Sequence, residues 1–291
     1  MKVSRYLAKL AALAALLLTG CVPHYRLACG ARMGDYQASA SEKELRFSRN
    51  RSSLVFNPNS AEARIDGRVR MILPWEVKYE LDEFVIEPRL LDRIVEPLLS
   101  GRALDTDTVV VDAGHGARDS GAVGAVYKEK DLNLAVALLL KTELEKRGLK
   151  VVMTKTTDVF IPLRERVKIA DGSGARLFIS VHHNAATNRE ARGYSVYAPR
   201  SCSHFPGESL VLAADVQREL LKLPQVIDRG VNFADFRVLY SNMPAVLVEL
   251  GFISNPAEEL IIGAPSRQKL EAAAIADGVT GYLRRAGKKR K

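Results

Sequence analysis

The chain has 291 residues, 47% of them hydrophobic and 26% charged. This excludes a disordered or low-complexity protein and leaves room for one large domain plus a smaller one. The net charge of +9 favours anionic partners such as envelope polymers, lipid headgroups or nucleic acid. With no paired CxxC, no aromatic-studded basic strand and no Gly-rich phosphate loop, nucleic acid is not an expected partner.

The first residues read as a secretory signal. Lys2, Arg5 and Lys9 precede an apolar run from Leu10 to Leu18 that is too short to span a bilayer, and small residues follow. Leu18-Thr19-Gly20-Cys21 resembles the lipobox of bacterial lipoproteins. The resemblance implies removal of residues 1–20 and a lipid on the Cys21 sulfur; an ordinary cleaved signal is the alternative. Beyond Cys21 only Cys29 and Cys202 remain, either as one disulfide of an oxidising compartment or as two thiols.

Residues 21–44, rich in Ala, Ser, Gly and Arg, read as a tether. Residues 45–100 read as a small β-rich domain. Its strand candidates are Leu54–Phe56, Glu62–Ile65, Val69–Leu73 and Phe84–Ile86, with turns at Asn57-Pro58-Asn59-Ser60 and at Asp66-Gly67. Leu90–Glu96 reads as a short helix ended by Pro97, and Trp75, the sole tryptophan, as core or interface. In pattern this segment resembles the AMIN-type domains that precede catalytic domains in envelope enzymes.

After a linker around Ser100–Asp107, strands and helices alternate. Strands are expected at Thr108–Asp112, Lys150–Thr154, Leu177–Val181, Tyr194–Ala198 and Ala245–Gly251. Helices are expected at Asp131–Arg147, Leu163–Asp171, Ser209–Leu221 and Arg267–Arg285, the first stopped by Gly148. The expected fold is α/β, a mostly parallel or mixed sheet flanked by helices on both faces and preceded by the small β-rich domain. Residues 106–286 form the expected catalytic domain, and residues 287–291 a basic tail.

Three strands run into chemistry-bearing residues. Thr108–Val111 leads through Asp112 to His115, which stands between Gly114 and Gly116. Leu177–Val181 ends on His182 and His183; side chains alternate along a strand, so only one is expected to face the site, and His182 is chosen with His183 as the substitute. Glu249 lies within the apolar run Ala245–Phe252, where an isolated carboxylate costs several kcal/mol unless it is paired or bound to a metal. Glu129 starts a helix, where a carboxylate is often only a cap or dipole partner. In a parallel sheet the three strand ends share one edge. Two histidines and a glutamate make a catalytic zinc set with a fourth position for water, and a further carboxylate serves as general base and later proton donor.

The motifs Asp112-Ala113-Gly114-His115-Gly116, Asp119-Ser120-Gly121-Ala122, Glu129-Lys130-Asp131-Leu132-Asn133-Leu134, Leu163 with Arg166, Phe178 to Asn184 and Pro244 to Asn255 occur in this order. Together they make residues 108–284 resemble the zinc-dependent N-acetylmuramoyl-L-alanine amidases of the amidase-3 type. The resemblance implies one Zn2+ held by His115, Glu129 and His182, with Glu249 as the catalytic acid/base. It implies hydrolysis of the amide between N-acetylmuramic acid and L-alanine, peptidoglycan as partner, and a regulatory protein activator as an open question. A lipid anchor would place the enzyme on an envelope membrane, the periplasmic face of the outer membrane if there are two.

Several positions depart from the family pattern. Ala113 and Ser120 stand where proline is common, Lys155 where arginine is, Asp171 where asparagine is, and His183 where a small residue is. The alternative functions are another zinc peptidase of the envelope and a catalytically silent wall-binding or regulatory lipoprotein. No HExxH occurs, and Arg118 stands where a carboxypeptidase-like HxxE would need its glutamate.

Overall fold

The computed structural model describes most of residues 25–86, Val95, and residues 107–287 except 201–204. The signal segment, Cys21, Cys29, Cys202, the rest of the expected 90–96 helix, the Trp75 side chain and the last four residues of the basic tail lie outside the described residues.

Eight strands come first: β1 (Tyr25–Leu27), β2 (Arg32–Met33), β3 (Tyr36–Ser41), β4 (Glu44–Arg49), β5 (Ser52–Phe56), β6 (Ser60–Ile65), β7 (Val69–Glu80) and β8 (Glu83–Ile86). From β2 to β7 each pairs antiparallel with the next. Alternate residues Leu45, Phe47, Leu54, Phe56, Ala63, Ile65, Val69 and Met71 are buried, as a sheet with one face on a core requires. Asp66 and Gly67 both take the left-handed backbone, at φ +52° and +68°, and turn β6 into β7. The strands begin well inside the stretch expected to be a tether. Its small and polar residues alternate on β3, and the pairing of β3 with β4 satisfies their backbone groups.

The catalytic half contains β9 (Thr108–Ala113), α1 (Glu129–Lys146), β10 (Lys150–Met153), α2 (Leu163–Gly172), β11 (Leu177–Asn184), β12 (Tyr194–Pro199), α3 (Pro206–Leu220), β13 (Asp228–Ala234), a 3-10 turn (Arg237–Leu239), β14 (Ala245–Phe252), α4 (Pro256–Gly263) and α5 (Pro265–Gly287). β13 and α4 were not anticipated. Gly148 adopts φ +82° just past α1, and its N–H closes on Glu145 O at 2.9 Å.

The strand order is β10-β9-β11-β14-β12-β13-β7-β6-β5-β4-β3-β2, with β8 bridging β7 to β1, 14 strands among the described residues. β10, β9, β11 and β14 are mutually parallel and β12 is antiparallel to β14. The sheet is therefore mixed. Side chains alternate between two cores. Val109, Val111, Ile179, Val181, Val246 and Val248 share one core with residues of α1, α3 and α5. Val110, Phe178, Ala245 and Leu247 share the other with Ala170 of α2 and Val238 and Leu239 of the 3-10 turn. Both faces are thus covered by helical elements. No helix among the described residues is long and apolar enough to cross a membrane.

Candidate active site

The parallel register fixes the site. Ser180 of β11 lies opposite Asp112 of β9, and His182 lies opposite Glu249 of β14, so the three strands deliver their last residues to one edge. Past β9 the chain turns abruptly. His115 has φ +60°, Gly116 +135° and Ala117 +48°. A left-handed backbone costs a non-glycine residue roughly 1–2 kcal/mol. The His115 carbonyl is held in place by two cations, accepting from Arg166 Nη2 at 2.7 Å and from Lys155 Nζ. Arg166 is itself fixed by buried Asp112 at 2.7 Å, and Asp112 also accepts from Thr154 Oγ1 at 2.6 Å and Ser180 Oγ at 2.7 Å. A buried ion pair with its remaining oxygen capacity filled in this way sets the arm that carries His115.

Glu129 Oε1 lies 3.1 Å from His115 Nε2 and 2.9 Å from His182 Nδ1. The two imidazole rings stand edge to face, 5.0 Å apart. One ligand atom from each of His115, Glu129 and His182 lies within 4.8 Å of the others. His115 Nδ1, the other ring nitrogen, lies 2.9 Å from Asp119 Oδ1. Ala122 N donates to Glu129 Oε2 at 2.9 Å. A Cβ at Gly114 would overlap the His182 ring, and one at Gly121 would press on Glu129 and His115. Glycine at both positions lets the donors converge. Burial opposes the charge of Glu129, but hydrogen bonds and charge from His115 and His182 outweigh it and hold the carboxyl well below the usual range. Burial likewise opposes protonation of His115, and Glu129 and Asp119 outweigh it, raising its pKa. Two imidazoles and a carboxylate with carboxylate and backbone support around them suit zinc.

Glu249 faces the same cavity, of about 320 Å³, whose other walls include Leu163, Phe236, Arg237, Val238 and Leu247. Its Oε2 is buried with no hydrogen-bond partner among the described residues. Burial, and next the Glu129 charge, raise its pKa well above the ordinary carboxylate value. Beyond His115 a second hollow of about 330 Å³ is walled by Phe160, Ile161 and Arg166. Arg118 stacks on Phe160 at 4.3 Å from the ring centre, so aromatic and basic groups lie together at this edge.

The profile of one protein family, described as N-acetylmuramoyl-L-alanine amidase, matches residues 109–281. The chain belongs to this family. The amidase is 41% identical over 181 residues to the uncharacterized protein YqiI of Bacillus subtilis (strain 168), over 62% of this chain and 86% of that one. It superposes on the N-acetylmuramoyl-L-alanine amidase of Clostridium difficile 630 with a TM-score of 0.60 and 36% identity, over 63% of this chain and all of that one. The CwlD amidase of Clostridioides difficile, solved in complex with the GerS lipoprotein, gives a TM-score of 0.58 at 30% identity, over 61% of this chain and 98% of that one. The amidase is accordingly a peptidoglycan hydrolase, and the amide between N-acetylmuramic acid and L-alanine is its target bond.

All four residues singled out in the amidase sequence meet in one cleft. Glu129 is not spent as a helix cap; it is the first residue of α1 and its carboxylate turns to the histidines. His182 faces the cleft, whereas the His183 ring is buried against Asn133 of α1, and burial pushes its pKa down to about 3. Other roles were not foreseen. Asp119 comes beside His115 because the turn between them closes through the paired Gly116 and Asp119 backbone hydrogen bonds, at 2.8 and 3.0 Å, whereas Asn133 follows Glu129 by one helical turn, a spacing that places such pairs together. Glu259 accepts from the backbone N–H groups of Ala125, Val126 and Tyr127, which pins the loop entering α1, and nothing in the sequence pairs residues so far apart. The departures from the family pattern find local partners: Lys155 on the His115 carbonyl, and Asp171 on Asn242 N at 2.7 Å.

Proposed function

We propose that this amidase is zinc-dependent, that His115, Glu129 and His182 hold the ion, and that Glu249 is the acid/base. The observation that carries the reading is the convergence of those three donors on a cavity that Glu249 also lines, with one of its carboxylate oxygens unpartnered among the described residues. When bound, zinc supplies Lewis-acid polarisation of the scissile carbonyl and lowers the pKa of water at the site. Asp119 orients His115 through Nδ1, which leaves Nε2 for the ion. Glu249 takes the proton from the attacking water. Its raised proton affinity, from burial and the Glu129 charge, then suits delivery of that proton to the departing alanine nitrogen. Leu163, Val238 and Leu247 give the cavity an apolar wall beside the candidate metal and acid/base groups.

The reading extends to where the enzyme works. Cys21 carries a lipid, the chain is held at an envelope membrane, and the net charge of +6 left once residues 1–20 are removed favours the anionic wall. The 106–286 segment is the catalytic part, and the β-rich 45–100 segment precedes it. A protein partner belongs to the same reading, with precedent in the CwlD structure.

The deciding experiment incubates the protein from Pro23 onward with purified peptidoglycan, with zinc and with chelator, and identifies products by mass. Free stem peptides beginning with L-alanine, lost on chelation and restored by zinc, are expected. Release that persists in the metal-free protein would overturn the zinc reading.

A further inference from the structure

His183 has no part in the chemistry above, yet it is only 1% exposed and lies next to the cleft. The alternation that sends His182 into the cleft turns His183 towards α1. Its Nδ1 lies 2.8 Å from Asn133 Oδ1. The Asn133 amide nitrogen reaches Glu129 Oε1 at 3.2 Å and Gly114 O at 3.3 Å. A carbonyl and an ionised carboxylate can only accept. The amide nitrogen must therefore face them, its oxygen must face His183, and His183 must carry a proton on Nδ1.

We propose that His183 is a positioning residue which, through Asn133, fixes the Glu129 carboxylate for metal binding; this rests on the zinc reading. The mechanism is orientational. Were the Asn133 amide to flip, its oxygen would oppose the Glu129 and Gly114 oxygens, and His183 would have to move its proton to Nε2 to accept from the NH2. Two repulsive oxygen–oxygen contacts would replace two of the three hydrogen bonds. With a small residue at position 183, which the family resemblance leads one to expect, Asn133 Oδ1 would lose this partner and the amide one of its three anchors. The imidazole thus supports Glu129 through Asn133, beside the His183 backbone N–H, which reaches Glu129 Oε1 directly at 3.4 Å. It touches neither substrate nor ion.

The test measures zinc affinity of the metal-free protein by competition with a chromophoric chelator, together with its thermal midpoint. His183→Leu keeps bulk and removes the donor. His183→Asn keeps an amide donor near the place of Nδ1. His183→Ala, of the size usual in the family, is the second donor-free variant should leucine fail to fold. The leucine and alanine variants should bind zinc about 10–100-fold more weakly, the typical effect of losing a group that orients a metal ligand, with asparagine restoring most of the loss. Metal-free midpoints should stay close to wild type. Equal zinc affinity in wild type and the donor-free variants would overturn the proposal. A loss that asparagine does not restore, and that follows a lowered midpoint, would overturn it too, since that is packing alone. If the wild type binds no zinc, the zinc reading falls and this proposal with it.

Discussion

Burial and the neighbouring Glu129 charge raise the affinity of Glu249 for a proton, and one of its oxygens has no partner among the described residues. A group so placed is suited to moving a proton rather than holding the fold together. Glu249→Gln should lower kcat by about 10²–10⁴-fold, the usual contribution of a general acid/base, with zinc content unchanged. Mass-resolved release of stem peptides and metal analysis of the same sample check both halves. Glu249 was legible because an isolated carboxylate in an apolar strand has few innocent explanations. Glu129 was not legible from its own surroundings, since any helix start gives a carboxylate a reason to be there. Alternation says only that one of His182 and His183 faces the site, and the family resemblance points to His182; the structure turns His182 to Glu129 and His183 to Asn133.

At the scale of elements, α2 steadies the arm that leaves β9. Arg166 is 2% exposed and joins Asp112 to the His115 carbonyl. Arg166→Met would leave the Asp112 charge buried without its cation, which should cost about 3–5 kcal/mol in denaturant unfolding. Helix α5 carries a second buried network, in which Glu271 accepts from the Tyr194 hydroxyl and from Arg267 Nε at 3.2 Å. Burial pushes the Glu271 pKa from 4.5 up to about 7 despite those donors. The folded chain thus retains a proton there that the unfolded chain gives up. This group's contribution to stability is present below pH 4.5, is lost as pH rises towards about 7, and is level beyond. Thermal midpoints of wild type and Glu271→Gln across that interval should diverge, the variant showing the flatter curve. The elements that escaped the sequence share a cause. Asp228–Ala234 has few apolar residues, and α4 is short, although Asn255 capping it and Pro256 opening it are both start signals. Glu44–Arg49 does alternate, with Leu45 and Phe47 inward, but without a flanking turn signal to mark it.

Across the whole molecule, one sheet runs from the N-terminal strands into the catalytic half. β7 lies beside β13 with Met71 opposite Val231, and both side chains are fully buried. Gly230, at φ +80°, makes the approach possible, since a Cβ there would come within 3.0 Å of the Arg70 carbonyl. The fold class was legible from periodicity, but this join was not, because it depends on a glycine and on long-range pairing. The consequence concerns reach. β1 pairs with β8, β8 with β7, and β7 with β13, so Tyr25 and the strands of the cleft belong to one continuous sheet. Were the chain held at Cys21, its leash would be four Cα steps, at most about 14 Å. The enzyme would then graze only the wall strands nearest its membrane, a cutter with its wrist against the bench. Inserting about 20 Gly/Ser residues before Tyr25 adds roughly 25 Å of average reach. Vesicle-bound protein lengthened in this way should dissolve more of a layered wall sample than the original, while the two cut soluble fragments at the same rate.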